Sequence, residues 1–134
     1  MPDTSQGLHI YIAGPWLHRN GARSLSILLE REGHTVTRRW WDCEGEYTDH
    51  DAMREHAQAD LDSIMDADVF VLFACSPSEG KATELGWALY RNMPIIAIGT
   101  PYGDSKNIFY HLDEIHWCAT VADAITCLNE RDWH

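Results

Sequence analysis

Along the chain, short apolar runs alternate with longer stretches in which apolar residues recur at helical spacing. Leu8 to Ala13 is β-favouring and ends at Gly14-Pro15, which predicts a first strand. Leu25, Leu28 and Leu29 share one helical face after a capping Asn20, and Gly33 is placed to stop the turn. That predicts a helix from Asn20 to about Glu32. His34 to Trp40 alternates around Val36 and predicts a weaker second strand, followed by a polar loop, Asp42 to Asp49. From Asp51 to Ala67, Met53, Ala57, Leu61, Ile64 and Met65 keep helical spacing. Val69 to Ala74 is continuously apolar, the pattern of a central parallel strand covered on both faces.

Ser76-Pro77-Ser78-Glu79 carries the marks of a helix start, with Ser76 as cap, Pro77 at the first helical position and Glu79 closing a capping box. Gly80 points instead to a start a few residues later, and the pattern leaves both open. That helix continues through Leu85, Ala88 and Leu89 to about Asn92. Pro94 to Gly99 predicts a fourth strand, Ile115 to Cys118 a short fifth, and Val121 to Arg131 a closing helix. Alternation of strand and helix predicts an α/β fold, a flavodoxin- or Rossmann-like doubly wound, five-stranded parallel sheet with strand order 2-1-3-4-5. At 134 residues the chain is read as a single domain, 1–134, with one core.

In such a sheet ligands bind beyond the carboxyl ends of the strands where the order reverses, here between strands 1 and 3. The loops at that place are Gly14 to Asn20 and Cys75 to Thr83. Composition narrows the partners. Ten Lys and Arg against 21 Asp and Glu give a net charge of −11, which repels nucleic-acid polymers but leaves room for one phosphate held by local donors. No apolar run approaches a membrane span, and Met1 to Gly7 has no signal-like region, so a cytoplasmic protein without a membrane partner is expected. Four cysteines (43, 75, 118, 127) without C-x-x-C spacing read as thiols packed as small hydrophobes. His50 and His56, six apart, match no helical ligand spacing, so neither metal nor cofactor is expected.

Two acids stand out. Asp60 lies on the apolar stripe of its helix, seven residues after Met53 and four before Ile64. A carboxyl at the edge of a buried stripe should hold its proton unless paired, which suits a proton donor. Its plain alternative is an acid pointing to water. Glu84 lies early in the helix after the third strand, where proximity to the helix N-terminus would favour the anion and a nucleophilic role. Its plain alternative is a surface pair with Lys81. One ionised and one protonated carboxyl together suit glycosidic cleavage. Tyr11 could donate to Glu84 if its side chain points to the switch point, and Trp16 could wall a sugar or base; for both the plain alternative is core.

Ile10-Tyr11-Ile12-Ala13-Gly14-Pro15-Trp16, Asp60-Leu61-Asp62-Ser63-Ile64 leading to Ala67-Asp68, the strand Val69 to Phe73, and Gly80 to Leu85-Gly86-Trp87-Ala88 together resemble the nucleoside 2-deoxyribosyltransferase family. The match runs from Ile10 to about Asn107. By that resemblance Glu84 attacks the anomeric carbon to form a deoxyribosyl-enzyme, Asp60 serves the departing and incoming bases as acid and base, and Tyr11 orients Glu84. Gly14, Trp16, Arg19, Ser78, Gly80 and Asn107 are the implied substrate contacts, Asn107 where a neighbouring subunit's residue occurs. The implied partners are a nucleoside or nucleotide, a free nucleobase and further copies of the chain sharing active sites. Pro77-Ser78-Glu79-Gly80 stands where transferases often carry an acid. It looks like the related 2-deoxynucleoside 5-monophosphate N-glycosidases, which implies hydrolysis as the alternative. A non-catalytic nucleotide-binding module is the reading from another class.

Overall fold

A computed structural model describes residues 6–43, 49–100 and 107–133. Five strands form one parallel sheet: β1 (His9–Ala13), β2 (Thr35–Val36), β3 (Val69–Phe73), β4 (Ile95–Ile98) and β5 (Ile115–Cys118). Their order is β2-β1-β3-β4-β5, as the alternating pattern predicts. Four helices connect or follow them: α1 (Arg19–Arg31), α2 (His50–Met65), α3 (Glu79–Tyr90) and α4 (Val121–Glu130). All five residues of β3 are buried, so it needs apolar side chains in both directions, and Val-Phe-Val-Leu-Phe supplies them.

Side chains alternate across the sheet and feed two cores. Ile10, Ile12, Val71 and Ile96 pack with Leu25 and Leu29 of α1 and Leu128 of α4. Tyr11, Phe70, Leu72 and Ile95 face the other way, against Ile64 of α2 and Leu85 and Ala88 of α3. Tyr11 thus enters the layer that α2 and α3 cover.

Helix ends follow local chemistry. Gly33 adopts φ +90° after α1, and the His34 amide reaches back to the Leu29 carbonyl at 3.1 Å. A side chain at Gly33 would be strained there. Asp49 caps α2 and Thr120 caps α4, each accepting a backbone N–H. For α3 the later of the two starts holds: Ser78, not Ser76, is the cap, accepting from the Lys81 amide at 3.2 Å.

Two expectations need correction. The second strand does not run from His34 to Trp40 but covers only Thr35–Val36. After Thr37, whose amide still bonds to the Ile10 carbonyl, the chain leaves the sheet. Arg38 turns to side-chain partners on α2, and Trp40–Asp42 closes a 3-10 turn. The apolar stripe of α2 is also thinner than its spacing implies. Ile64 alone is fully buried, while Met53 and Met65 are exposed. Leu28 of α1 is exposed too. No helix among the described residues is long and apolar enough to cross a membrane.

Candidate active site

Where the strand order reverses, β1 and β3 open a cavity of about 290 Å³ lined by Tyr11, Gly14, Trp16, Arg38, Trp40, His56, Asp60, Ser78, Gly80, Lys81 and Glu84. Each wall comes from a different element. Tyr11 points from the middle of β1, Glu84 from the sixth residue of α3, and His56 and Asp60 from successive turns of α2. The two acids, 24 residues apart in the chain, therefore share one cavity, and both are half-buried.

The Tyr11 hydroxyl donates to Glu84 Oε2. Tyr11 is fully buried and its ring stacks on Phe70 at 5.6 Å. Burial, with the negative charges of Glu84 and Asp60, pushes the phenol far above its ordinary range, so it stays protonated and acts only as a donor. Burial likewise pushes Glu84 up to about 7. The Tyr11 hydrogen bond opposes that shift, the charge of Asp60 adds to it, and Arg38 opposes it.

Asp60 accepts from Arg38 Nε at 2.9 Å, and Arg38 Nη2 lies 2.9 Å from His56 Nδ1. Burial works against the Arg38 charge, but the hydrogen bond and charge of Asp60 outweigh it and raise the guanidinium's pKa. The environments thus differ from the division expected from sequence. Arg38 pairs with Asp60, and burial raises the proton affinity of Glu84. Glu84 lies beyond the first turn of α3, where the helix dipole has decayed, so desolvation dominates.

Lys81 does not make a surface pair with Glu84. It is buried, and its ammonium donates to the carbonyls of Phe73 at 3.0 Å and Ser76 at 2.5 Å. Those bonds tie the end of β3 to the start of α3 and fix the loop that carries Ser78 and Gly80. Desolvation lowers the Lys81 pKa. A Cβ at Gly80 would meet only Ser78 Oγ, at 3.9 Å, so glycine there leaves open space at the cavity wall.

Seven of the nine residues singled out in the sequence line this cavity: Tyr11, Gly14, Trp16, Asp60, Ser78, Gly80 and Glu84. The other two lie elsewhere. Arg19 donates to the Trp16 carbonyl at 3.1 Å and stacks its guanidinium 4.9 Å from the Trp16 ring centre. Asn107 accepts from the Phe109 amide and lines a separate groove of about 480 Å³ along α3, with Thr83, Gly86 and Phe109. Arg38 and His56 join the cavity without a sequence signal, and of Trp40 and Trp41, for which the sequence leaves base pocket, core and subunit interface open, Trp40 lines it. Trp40 donates from Nε1 to the Ile12 carbonyl at 2.7 Å and faces Trp16 with ring centres 6.3 Å apart, whereas Trp41 is core. The departure of the chain from the sheet after Thr37 delivers Arg38 and Trp40 here, and an alternating strand pattern hides it.

Among solved structures the chain is similar to the CMP N-glycosidase of Clostridium botulinum, with 19% identity over 91% of this chain and 98% of that one, at a TM-score of 0.60. It is also similar to the 2-deoxyribosyltransferase of Bacillus psychrosaccharolyticus, with 24% identity over 87% and 90% and a TM-score of 0.67. A conserved protein from Enterococcus faecalis V583 is similar at 18% identity over 93% and 99%, with a TM-score of 0.63. The chain shares their fold. No protein-family model matches the sequence, and no curated protein matches it significantly.

Proposed function

We propose that this protein is an enzyme that cleaves the N-glycosidic bond of a nucleoside or nucleotide, and that it transfers a 2-deoxyribosyl group to another nucleobase. The observation that carries the reading is the hydrogen-bonded pair of Tyr11 and Glu84 sharing one cavity with Asp60. Two of the similar folds, named for a 2-deoxyribosyltransferase and a CMP N-glycosidase, support the class of reaction.

In this reading Glu84 attacks the anomeric carbon, the bond to the base breaks, and a glycosyl-enzyme ester forms. Tyr11 holds one carboxylate oxygen of Glu84 and leaves the other for the sugar. Asp60 gives a proton to the departing base and takes one from the incoming base. Arg38 orients Asp60, and its Nη2 lies 2.9 Å from Nδ1 of His56, one turn earlier on α2. Trp16 and Trp40 offer flat apolar surface to the base. No cofactor enters these steps. A second copy of the chain is proposed to cover the outer side of α3, where Trp87 and Tyr90 are exposed and Asn107 lies alongside.

Hydrolysis of a 2-deoxynucleoside 5-monophosphate is the second reading, favoured by Ser78 and the N-terminus of α3 at the cavity wall, where a phosphate finds backbone donors. Incubation with deoxyinosine and adenine, and separately with deoxynucleoside monophosphates alone, distinguishes the two by chromatography. Deoxyadenosine in the first mixture supports transfer. Free base released only from monophosphates supports hydrolysis. No turnover in either leaves a binding module.

A further inference from the structure

Three side chains that this chemistry does not use converge at the far edge of the sheet. His116 and Cys118 are two apart on β5 and so project to one face. On that face α4 brings Cys127 to meet them, with its Sγ 3.6 Å from Cys118 Sγ and 3.5 Å from His116 Nε2. The three donor atoms all lie within 4.8 Å of one another.

The 3.6 Å and 3.5 Å separations match two edges of a coordination polyhedron. Around a tetrahedral ion with metal–sulfur bonds of about 2.3 Å and metal–nitrogen bonds of about 2.0 Å, two sulfurs stand about 3.8 Å apart and a sulfur and a nitrogen about 3.5 Å. A disulfide needs its sulfurs at about 2.05 Å, far closer than these. Two thiols and an imidazole are also a soft donor set, suited to zinc and its neighbours rather than to magnesium or calcium.

We propose that His116, Cys118 and Cys127 form a three-ligand site for a thiophilic divalent metal ion, zinc foremost, with a fourth position open to water. On binding, both thiols give up their protons to solvent and the imidazole binds through its neutral Nε2. The ion clips the edge strand β5 to α4. It does so on the opposite face of the sheet from Tyr11, since Cys118 packs in the core under α1 and α4. Its effect is on the stability of this edge rather than on the glycosidic bond. The spacing His-x-Cys-x8-Cys escapes motif reading because a strand and a helix, not one tight loop, bring the donors together.

The test is anaerobic titration of reduced, metal-free, full-length protein with Co²⁺ and then Zn²⁺. One ion per chain should bind, with thiolate-to-cobalt charge transfer in the near-ultraviolet and tetrahedral ligand-field bands in the visible. Zinc should displace cobalt and raise the thermal midpoint. C127S, checked for fold by circular dichroism, should weaken zinc binding by at least roughly 100-fold, since even outer-shell partners of a metal are worth about 10–100-fold. H116Q should weaken it in the same direction, and C43S/C75S should bind as the parent does. Absence of charge transfer in the parent protein, or an undiminished signal in C127S, would overturn the site. So would formation of a Cys118–Cys127 disulfide in a protein that, once reduced, takes up no metal.

Discussion

Tyr11 on β1 donates a hydrogen bond to Glu84 on α3, across 73 residues of chain. Parallel pairing sets Tyr11 level with Phe70 of β3, and the stacked rings hold the phenol in the layer beneath α2 and α3. The bond leaves Glu84 a carboxyl caught between two influences. Burial raises its proton affinity to about 7, and Tyr11 and Arg38 restrain the rise.

A pH profile reads this balance directly. In the proposed mechanism only ionised Glu84 attacks, so the acid limb of kcat/KM should climb through about pH 7. Removing the Tyr11 hydroxyl removes an influence that lowers the Glu84 pKa. Y11F should therefore move the acid limb to higher pH. An unmoved limb would detach Tyr11 from Glu84.

Stability carries the same signature with the opposite sign. A carboxyl whose folded pKa lies above its unfolded value favours the folded state at low pH, and that contribution is lost as pH rises between about 4.5 and about 7. Above that window the buried charge costs on the order of 3 kcal/mol. E84Q, which keeps the shape without the charge, should be inactive yet melt higher than the parent protein at pH 8, with the gain fading towards pH 4. Thermal melts across that range check it.

Arg38 tests the other acid. D60N should lower turnover by ~10²–10⁴-fold, the usual worth of a general acid. R38Q deprives Asp60 of its partner at 2.9 Å and Glu84 of a cation that lowers its pKa. It should reduce kcat and shift the acid limb upward, as Y11F does. A change in KM alone would make Arg38 a substrate contact instead.

The sheet order was legible in the sequence because it rests on strong local signals, whereas spacing alone left a plain alternative open for each acid and only the family resemblance singled both out. Val69 to Phe73 is wholly apolar and bounded by turn signals, the pattern of a central strand. What was not legible depends on where the chain leaves regular structure. Arg38 and Trp40 sit in a segment whose alternation suits a strand, and only the departure after Thr37 turns them into the cavity. The raised proton affinity of Glu84 escaped for a related reason. Position on a helix suggests a dipole, but the depth of burial and the placing of Arg38 come from tertiary packing. Asn107, expected among the substrate contacts, lines a neighbouring groove instead.

Trp16 offers a check on the proposed base pocket. It is 42% exposed and tilted 47° to Trp40, so replacing it removes stacking surface with little loss of core. W16A should raise KM roughly three- to tenfold, the worth of one aromatic contact, with a smaller effect on kcat. Steady-state kinetics with a deoxynucleoside checks this.

The proposed covalent role of Glu84 is open to direct observation. A 2-fluoro-2-deoxynucleoside slows formation and breakdown of the sugar cation, so brief incubation should trap the ester. Peptide mass spectrometry should then find one fluorodeoxyribosyl group added at Glu84, absent from E84Q and discharged by a free nucleobase. An unmodified Glu84 in protein that turns over the natural substrate would contradict the account, as would an adduct on any other residue.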